Sequence, residues 1–404
     1  MQDDKPLAGI KVIDFSAYAA APGAARILAD QGAEVIKVEP ATGDPFRSTG
    51  ALLTIPVKDG YNPAFDIENA NKQLISIDVR IGKGKEIFYR LLANADVLVT
   101  NYREDALARM EVRYEDLKEQ FPRLVYGSVT GYGNSGPEAG DPGYDIVAYF
   151  ARSGFMLDTV TSESDPVINV GAAGDHPTAV ALAQGVTAAL VKQQRTGKGE
   201  KVSVSLYHMA IWTLGTLITS TQFNAKYPTP YNEPPLSPVI HPYKCSDGEW
   251  ILPMILDFKK YFVPLCESLG LSELASNEDY NSPLKAKRNQ SQLVPIIANK
   301  MQTKTAEEWS KEWKKMDIPH DVLRHFKHVL SDEQAIVNDF VRKVDYPDGK
   351  QVYLPTPPIQ FTEAGNAEYK ITGRIGADTV TVLKGLGYSE EIISELAKDG
   401  VVKI

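Results

Sequence analysis

The chain has 404 residues, 43% hydrophobic and 24% charged, with a net charge of −9, long enough for two or three domains and a sizeable core. That charge argues against general nucleic-acid binding, which needs a basic surface, although a few local arginines still suffice for a polyanionic ligand. Cys245 and Cys266 cannot form a disulfide framework and lack metal-ligand spacing. The apolar run Ala17 to Ala29 is interrupted by Pro22 and Arg26 and is too short to cross a bilayer. Met1 to Pro6 (MQDDKP) does not read as a signal peptide. A cytoplasmic protein is expected, with neither membrane nor nucleic acid as partner.

Ile10 to Phe15 (IKVIDF) reads as a strand, Pro22 to Gln31 as a short helix and Glu34 to Val38 (EVIKV) as a second strand. This βαβ unit implies a parallel sheet covered on both faces. The alternation continues with helix Lys83 to Ala93, strand Asp96 to Thr100, helix Tyr114 to Gln120 and strand Leu124 to Thr130. Val167 to Ala173 reads as extended, Thr178 to Lys192 (TAVALAQGVTAALVK) as a helix and Val202 to Leu206 as a strand. The fold class expected is α/β, doubly wound.

The character changes near Ser220. Tyr227 to Pro242 carries six prolines and reads as an extended linker. Tyr243 to Ile255 reads as a hairpin around Ser246-Asp247-Gly248, and helical patterns follow at Phe258 to Ser268, Gln292 to Met301 and Ala306 to Met316. Together they suggest a smaller α+β domain. A helix from Asp332 to Phe340, a strand region to Phe361 and two short helices at Thr379 to Leu386 and Glu390 to Lys398 complete the chain.

The most informative point is Gly174-Asp175-His176-Pro177, where small and apolar residues give way to the long helix. Asp175 falls at or just before the first turn, where unpaired N–H groups and the helix dipole favour an anion. Its carboxyl is therefore expected to have a lowered pKa and to be ionised at neutral pH. Gly174 has no Cβ, which leaves one side of the carboxylate open to a substrate. The plainer alternative is an N-cap with a proline just inside the helix.

Gly131-Tyr132-Gly133-Asn134-Ser135-Gly136 matches G-x-G-x-x-G after a strand. Dinucleotide binding needs a helix to start there, and instead Pro137, Gly140, Pro142 and Gly143 follow. A nicotinamide-dependent dehydrogenase is thus disfavoured. His176, His208 and His241 lie far apart and read as structural or exposed, and no metal site is expected. Serine-hydrolase and P-loop signatures do not occur.

Taken together, the segments resemble class III (formyl-CoA transferase-like, CaiB/BaiF) CoA-transferases along essentially the whole chain. The resemblance lies in Gly9 to Asp14, Gly32 to Glu39, Gly43 to Arg47, Asn69 to Lys72, Asp96 to Asn101, Gly131 to Pro137, Pro142 to Asp145, Gly174-Asp175 and the region Thr379 to Tyr388. Asp66 to Lys72 (DIENANK), Ala148 to Gly154 (AYFARSG), Gly174-Asp175-His176 and Asp332 to Ala335 are similar to the branch acting on 2-hydroxyacids.

The resemblance implies a Rossmann-like large domain built from both termini, a smaller α+β domain and an interlocked, ring-like homodimer. The divisions expected are 1–225, 226–334 and 335–404, the last rejoining the first. It implies CoA transfer from an acyl-CoA, such as a 2-enoyl-CoA, to the carboxylate of a 2-hydroxyacid. Asp175 is the implied nucleophile, acting through a mixed anhydride and an aspartyl-CoA thioester. Ala19, Ala20, Ile77, Arg80, Asn101, Tyr102, Arg103, Arg109 and Tyr144 are the implied CoA contacts. Coenzyme A and its esters enter as substrates, and no tightly bound cofactor is implied.

Two departures stand out. Pro40 follows Glu39 where formyl-CoA transferases carry an arginine, and their glycine-rich lid has no counterpart between Pro235 and Gly248. Racemases of the superfamily place a histidine where this chain has Tyr144, whose phenol suits proton exchange poorly at neutral pH. Transfer is therefore favoured over an acyl-CoA racemase or epimerase, and a non-catalytic CoA-ester-binding protein is the alternative from another class. Tyr18, Tyr149, Phe150, Met156 and Trp212 are candidates to line an apolar pocket or to serve as plain core. The acid itself stays open.

Overall fold

The computed structural model describes every residue except 1–3, 170, 224–226, 228, 233–236 and 366. Residues 228 and 233–236 of the expected Tyr227 to Pro242 linker, Pro235 at the start of the lid comparison among them, lie outside the described residues. Two compact units are present. The first comprises 1–155, 168–214 and 333–404, and the second 156–167 and 215–332.

The first unit is organised on strands β1 (Lys11–Phe15), β2 (Glu34–Glu39), β3 (Gln73–Ile77), β4 (Val97–Thr100), β5 (Val125–Thr130) and β6 (Lys201–Ser205). They run parallel in the order β3-β2-β1-β4-β5-β6. A C-terminal strand, Val402–Lys403, lies antiparallel on the outer edge of β3. Neighbouring residues face opposite layers, as the strand period requires. Val12, Val35, Val97 and Val125 belong to one core, and Ile13, Val38, Leu98 and Tyr126 to the other.

Helices α1 (Ala20–Asp30), α2 (Pro63–Asn69), α3 (Gly82–Leu92), α4 (Glu104–Met110), α5 (Tyr114–Leu117), α6 (Phe155–Asp158) and α7 (Asp175–Thr196) follow in chain order. Asn62 caps α2 by accepting from the Phe65 N–H at 3.3 Å, and Pro63 opens its first turn. Small residues along α1 let α7 approach closely. The alternation read from sequence is present. Strand β3, helices α2 and α4, and the C-terminal strand had not been anticipated. Of the extended segment expected before Asp175, 167–169 join no strand, residue 170 lies outside the described residues, and the chain bends from Gly171 to Ala173, with Ala172 left-handed at φ 57°. The expected helix at Asp332 to Phe340 is shorter, Glu333–Val337.

Charged residues meet beneath the carboxyl ends of β1 and β2. Lys72 Nζ donates to Asp14 Oδ2 at 2.8 Å, Asn69 Oδ1 at 2.9 Å and the Pro22 carbonyl at 2.8 Å. Lys37 lies 2.9 Å from Asp44 and donates to the Ser16 carbonyl at 3.0 Å. Asp14, Lys37 and Lys72 are all buried. Burial pulls the Lys72 ammonium down to about 8, while Lys37 and Lys72 hold Asp14 below the ordinary carboxylate range against its own burial.

The second unit has its own core. A three-stranded antiparallel sheet, β7 (Tyr243–Lys244), β8 (Trp250–Pro253) and β9 (His320–Val322), begins with the expected hairpin. Trp309 and Trp313 fill its interior and donate their indole N–H groups to the Met301 carbonyl at 3.0 Å and Ser268 Oγ at 2.9 Å.

Replacing one member of a buried charge group strands the others. Lys72→Met is expected to lower unfolding stability by about 3 kcal/mol, read as a lower denaturant midpoint at unchanged slope. Lys83→Met removes an exposed pair with Asp399 and is expected to leave the midpoint in place.

Candidate active site

The strand order reverses between β1 and β4, and in open parallel sheets the crevice at such a point takes ligands. The chain leaving β1 is fixed there from two sides. The Asn101 amide accepts from the Ala17 N–H at 2.9 Å and donates to the Ala17 carbonyl at 2.6 Å. Asp44 Oδ1 accepts from the Tyr18 N–H at 3.1 Å. Tyr18 is held left-handed at φ 65°, a conformation that is costly for a residue with a Cβ.

Asp175 opens α7, with Gly174 at the N-cap. Because α7 feeds the parallel strand β6, its first turn lies at the carboxyl edge of the sheet, the same edge from which α1 starts. The Asp175 carboxylate caps nothing and makes no hydrogen bond to a described residue. The space that Gly174 leaves is filled: a Cβ there would lie 2.6 Å from the ring of Tyr149. The glycine thus admits a neighbouring aromatic rather than a substrate.

The expected electrostatics are reversed. Burial, then the carboxylates of Asp145 and Glu68, push the Asp175 carboxyl up to about 7, and His176 offsets only part of this. Loss of hydration and two like charges outweigh the helix dipole, which acts over a single turn. Asp145 Oδ1 accepts from the Ile146 N–H at 2.7 Å, and its Oδ2 is buried without a partner among the described residues. Glu68 Oε1 lies 2.7 Å from Nε2 of His176, and that hydrogen bond raises the imidazole pKa above its ordinary value.

Of the other residues singled out by resemblance, Ala19, Ala20, Asn101, Tyr102 and Arg103 gather at the ends of β1 and β4. Ala19 and Ala20 are buried, and Tyr102 packs on Phe15 with ring centroids 4.7 Å apart. Ile77 closes β3 and is buried. Arg80 is exposed and paired with Asp78 at 2.7 Å. Arg109, at the end of α4, is exposed and paired with Asp105 at 3.1 Å, and Arg103 approaches the same carboxylate at 3.9 Å. Tyr144 meets Tyr18 edge to face, centroids 5.4 Å apart. Tyr149 and Phe150 are core, Trp212 is 78% exposed, and Met156 belongs to the second unit.

The sequence assigns no role to Glu68 or Asp145, and His176 reads there as structural or exposed. The available signal was position: Asp145 directly follows Tyr144, and Glu68 lies inside DIENANK. Among the described residues no cluster of His, Cys, Asp or Glu is arranged for a metal ion, and no helix is long and apolar enough to cross a membrane.

CoA-transferase family III matches residues 7–379 of the chain. The chain is 39% identical to the (R)-2-hydroxy-4-methylpentanoate CoA-transferase of Clostridioides difficile, over 98% of this chain and 99% of that protein. It is also 39% identical to the cinnamoyl-CoA:phenyllactate CoA-transferase of Clostridium sporogenes, over 97% of this chain and 96% of that one. A CAIB/BAIF family protein from Brucella suis has a similar structure, with a TM-score of 0.81 at 27% identity, covering 95% of this chain and 99% of that one. This chain belongs to CoA-transferase family III. It is an enzyme of that class, with CoA thioesters as substrates.

Asp175→Asn removes a carboxyl group whose ionisation the fold resists. A raised carboxyl pKa lowers stability as pH climbs from the unfolded value to about 7. The variant is therefore expected to be more stable than wild type by about 2 to 4 kcal/mol at pH 8 and nearly equal at pH 4, measured by denaturant unfolding. Gly174→Ala drives a methyl group into Tyr149 and is expected to destabilise by about 1 to 3 kcal/mol.

Proposed function

We propose that the protein moves CoA from an acyl-CoA to the carboxylate of a 2-hydroxyacid, with Asp175 as nucleophile. The observation that carries this reading is an aspartate on the first turn of a 22-residue helix whose carboxylate has no structural partner among the described residues. A carboxylate that only capped the helix would be hydrogen-bonded to it. The names of the relatives above supply the substrate class. A raised pKa also suits the role, since a more basic carboxylate is the better nucleophile once ionised.

In this reading ionised Asp175 attacks the thioester carbonyl. The acyl–sulfur bond breaks, CoA leaves as thiolate, and a mixed anhydride remains. The thiolate then attacks the aspartyl carbonyl and expels the donor acid, giving an aspartyl-CoA thioester. The incoming hydroxyacid carboxylate attacks that thioester, the carbon–sulfur bond breaks and a second mixed anhydride forms; the thiolate then attacks its acyl carbonyl, forming the new thioester and releasing Asp175 as carboxylate. Each step builds an oxyanion at the N-terminus of α7, where backbone N–H groups and the dipole favour negative charge.

For CoA itself, the reading places the pantetheine along Ala19, Ala20, Asn101, Tyr102 and Tyr144, with phosphates near Arg80, Arg103 and Arg109 and with Ile77 beside them. The pair Arg109 makes with Asp105 is exposed on both sides and weak, so a phosphate can replace that aspartate, whereas Arg80 holds Asp78 through two hydrogen bonds. The same reading holds 1–225 and 335–404 as the large Rossmann-like domain, 226–334 as the linker and small domain, and an interlocked homodimer as the working form. The exposure of Trp212, on a helix of mostly apolar residues (LYHMAIWT), supports burial against a second copy.

Intact-protein mass after mixing with an acyl-CoA and acid quench tests the route. A gain of CoA less one water is expected on wild type and not on Asp175→Ala. No gain across aliphatic and aromatic donors sinks the proposal. Because attack needs the ionised form, kcat/KM for the donor is expected to rise with pH through about 7 and then level off. The α-proton of the acyl group is expected not to exchange with deuterated solvent, which separates transfer from racemisation.

A further inference from the structure

Transfer through Asp175 brings a second anion to the site. The carboxylate of the incoming acid has to approach a place where Asp145 and Glu68 already bear on Asp175. Like charges at this range oppose one another by several-fold in affinity unless a cation stands among them. The positive group that acts on Asp175 is His176, and the groups that act on His176 are Glu68, Asp175 and Asp145.

The imidazole is held at one nitrogen only. Nε2 lies 2.7 Å from Oε1 of Glu68, whose side chain is 3% exposed. The other Glu68 oxygen is lodged against α1, where a Cβ on Gly23 would come within 2.7 Å of it. Glu68 therefore has little room to swing, and its hydrogen bond favours the protonated ring. A cation on the first turn of a helix is opposed by the dipole, so a charge there needs such a partner. Nδ1 has no partner among the described residues, and the His176 side chain is 49% exposed. The ring also borders a cavity of about 630 Å³ with mainly apolar walls, among them Ile27, Ile67, Val180 and Met209.

Resting on the reading of Asp175 as nucleophile, we propose that His176, through Nδ1–H, receives the carboxylate of the incoming acid, that Glu68 positions the ring, and that the apolar substituent of the acid lies in the adjoining cavity. No proton moves in the step served. A carboxylate oxygen bonds to the aspartyl carbonyl carbon, the carbon–sulfur bond breaks, and the thiolate leaves with the electron pair. His176 keeps its proton and offsets the charge that enters.

The test isolates the aspartyl-CoA adduct of wild type and of His176→Gln, checks both by mass, and discharges each with phenyllactate, with 2-hydroxy-4-methylpentanoate or with hydroxylamine. Hydroxylamine is neutral at pH 7.5 to 8 and needs no cation. Discharge by either acid is expected to slow at least tenfold in the variant, with discharge by hydroxylamine within about twofold of wild type. Equal discharge by the acids overturns the proposal, and so does equal slowing of acid and hydroxylamine, which would place the effect on the thioester. Glu68→Gln gives a second reading that does not depend on loading His176→Gln. Its acid discharge is expected to fall with rising pH at a lower pH than in wild type, because the ring without its carboxylate loses its proton sooner. Superimposable pH profiles count against the assignment. Failure of wild type to form any adduct overturns the aspartyl route, and this inference with it.

Discussion

Three charges sealed under the crevice decide where everything above them lies. Asp14, Lys37 and Lys72 have no access to water, so each must find its partners inside the protein or impose a desolvation penalty of several kcal/mol. Lys72 is satisfied only when β1, the first turn of α1 and the end of α2 converge on its ammonium. Lys37 imposes the same condition on the Ser16 carbonyl and on Asp44. Asp44 in turn fixes the strained Tyr18 backbone. A loop that relaxed Tyr18 would lose that bond, so the strain persists because the buried charges leave no cheaper arrangement.

Helix α2 carries this constraint outward in three directions. Asn69 faces the ammonium of Lys72. Asp66, fully buried, accepts from the N–H and hydroxyl of Thr372 at 2.7 and 2.6 Å and from the Tyr346 hydroxyl at 2.6 Å, which ties the helix to the C-terminal segment. Glu68, between them, reaches the residue after Asp175. A seven-residue helix has little stability of its own. Its rigidity comes from being bonded at successive polar positions to separate parts of the unit, and this makes it a firm support for His176.

The α/β alternation was legible because a buried parallel strand is nearly all apolar and its following helix is amphipathic: IKVIDF, EVIKV and DVLVT could hardly be read otherwise. The C-terminal edge strand, only two residues long, has no length over which a period could show. Asp175 was found from a glycine, a proline and the start of a helix, signals that all lie within four residues. Its ionisation was misjudged for the opposite reason. Asp145 and Glu68, which set it, lie 30 and 107 positions away in sequence, and only the fold brings them to bear. The hydrophobic pattern reports which face is buried, and it is silent on which charges share a pocket. For Gly174 the residue type was informative and the inference from it was not, because the missing side chain made room for Tyr149.

The first unit is closed by its last residues. Asp378 accepts from the Leu74 N–H at 2.7 Å, Thr379 Oγ1 from the Ser76 N–H at 3.1 Å, and Val402 pairs with Ile77. During synthesis the strand β3 therefore leaves the ribosome some three hundred residues before its outer neighbour does. Throughout that interval the nascent sheet carries an open edge and an unsealed Asp66, while the whole second unit is made. The order of translation thus sets an assembly problem that the finished molecule no longer displays: an N-terminal half that must be kept from pairing with the wrong strand until the C-terminus arrives.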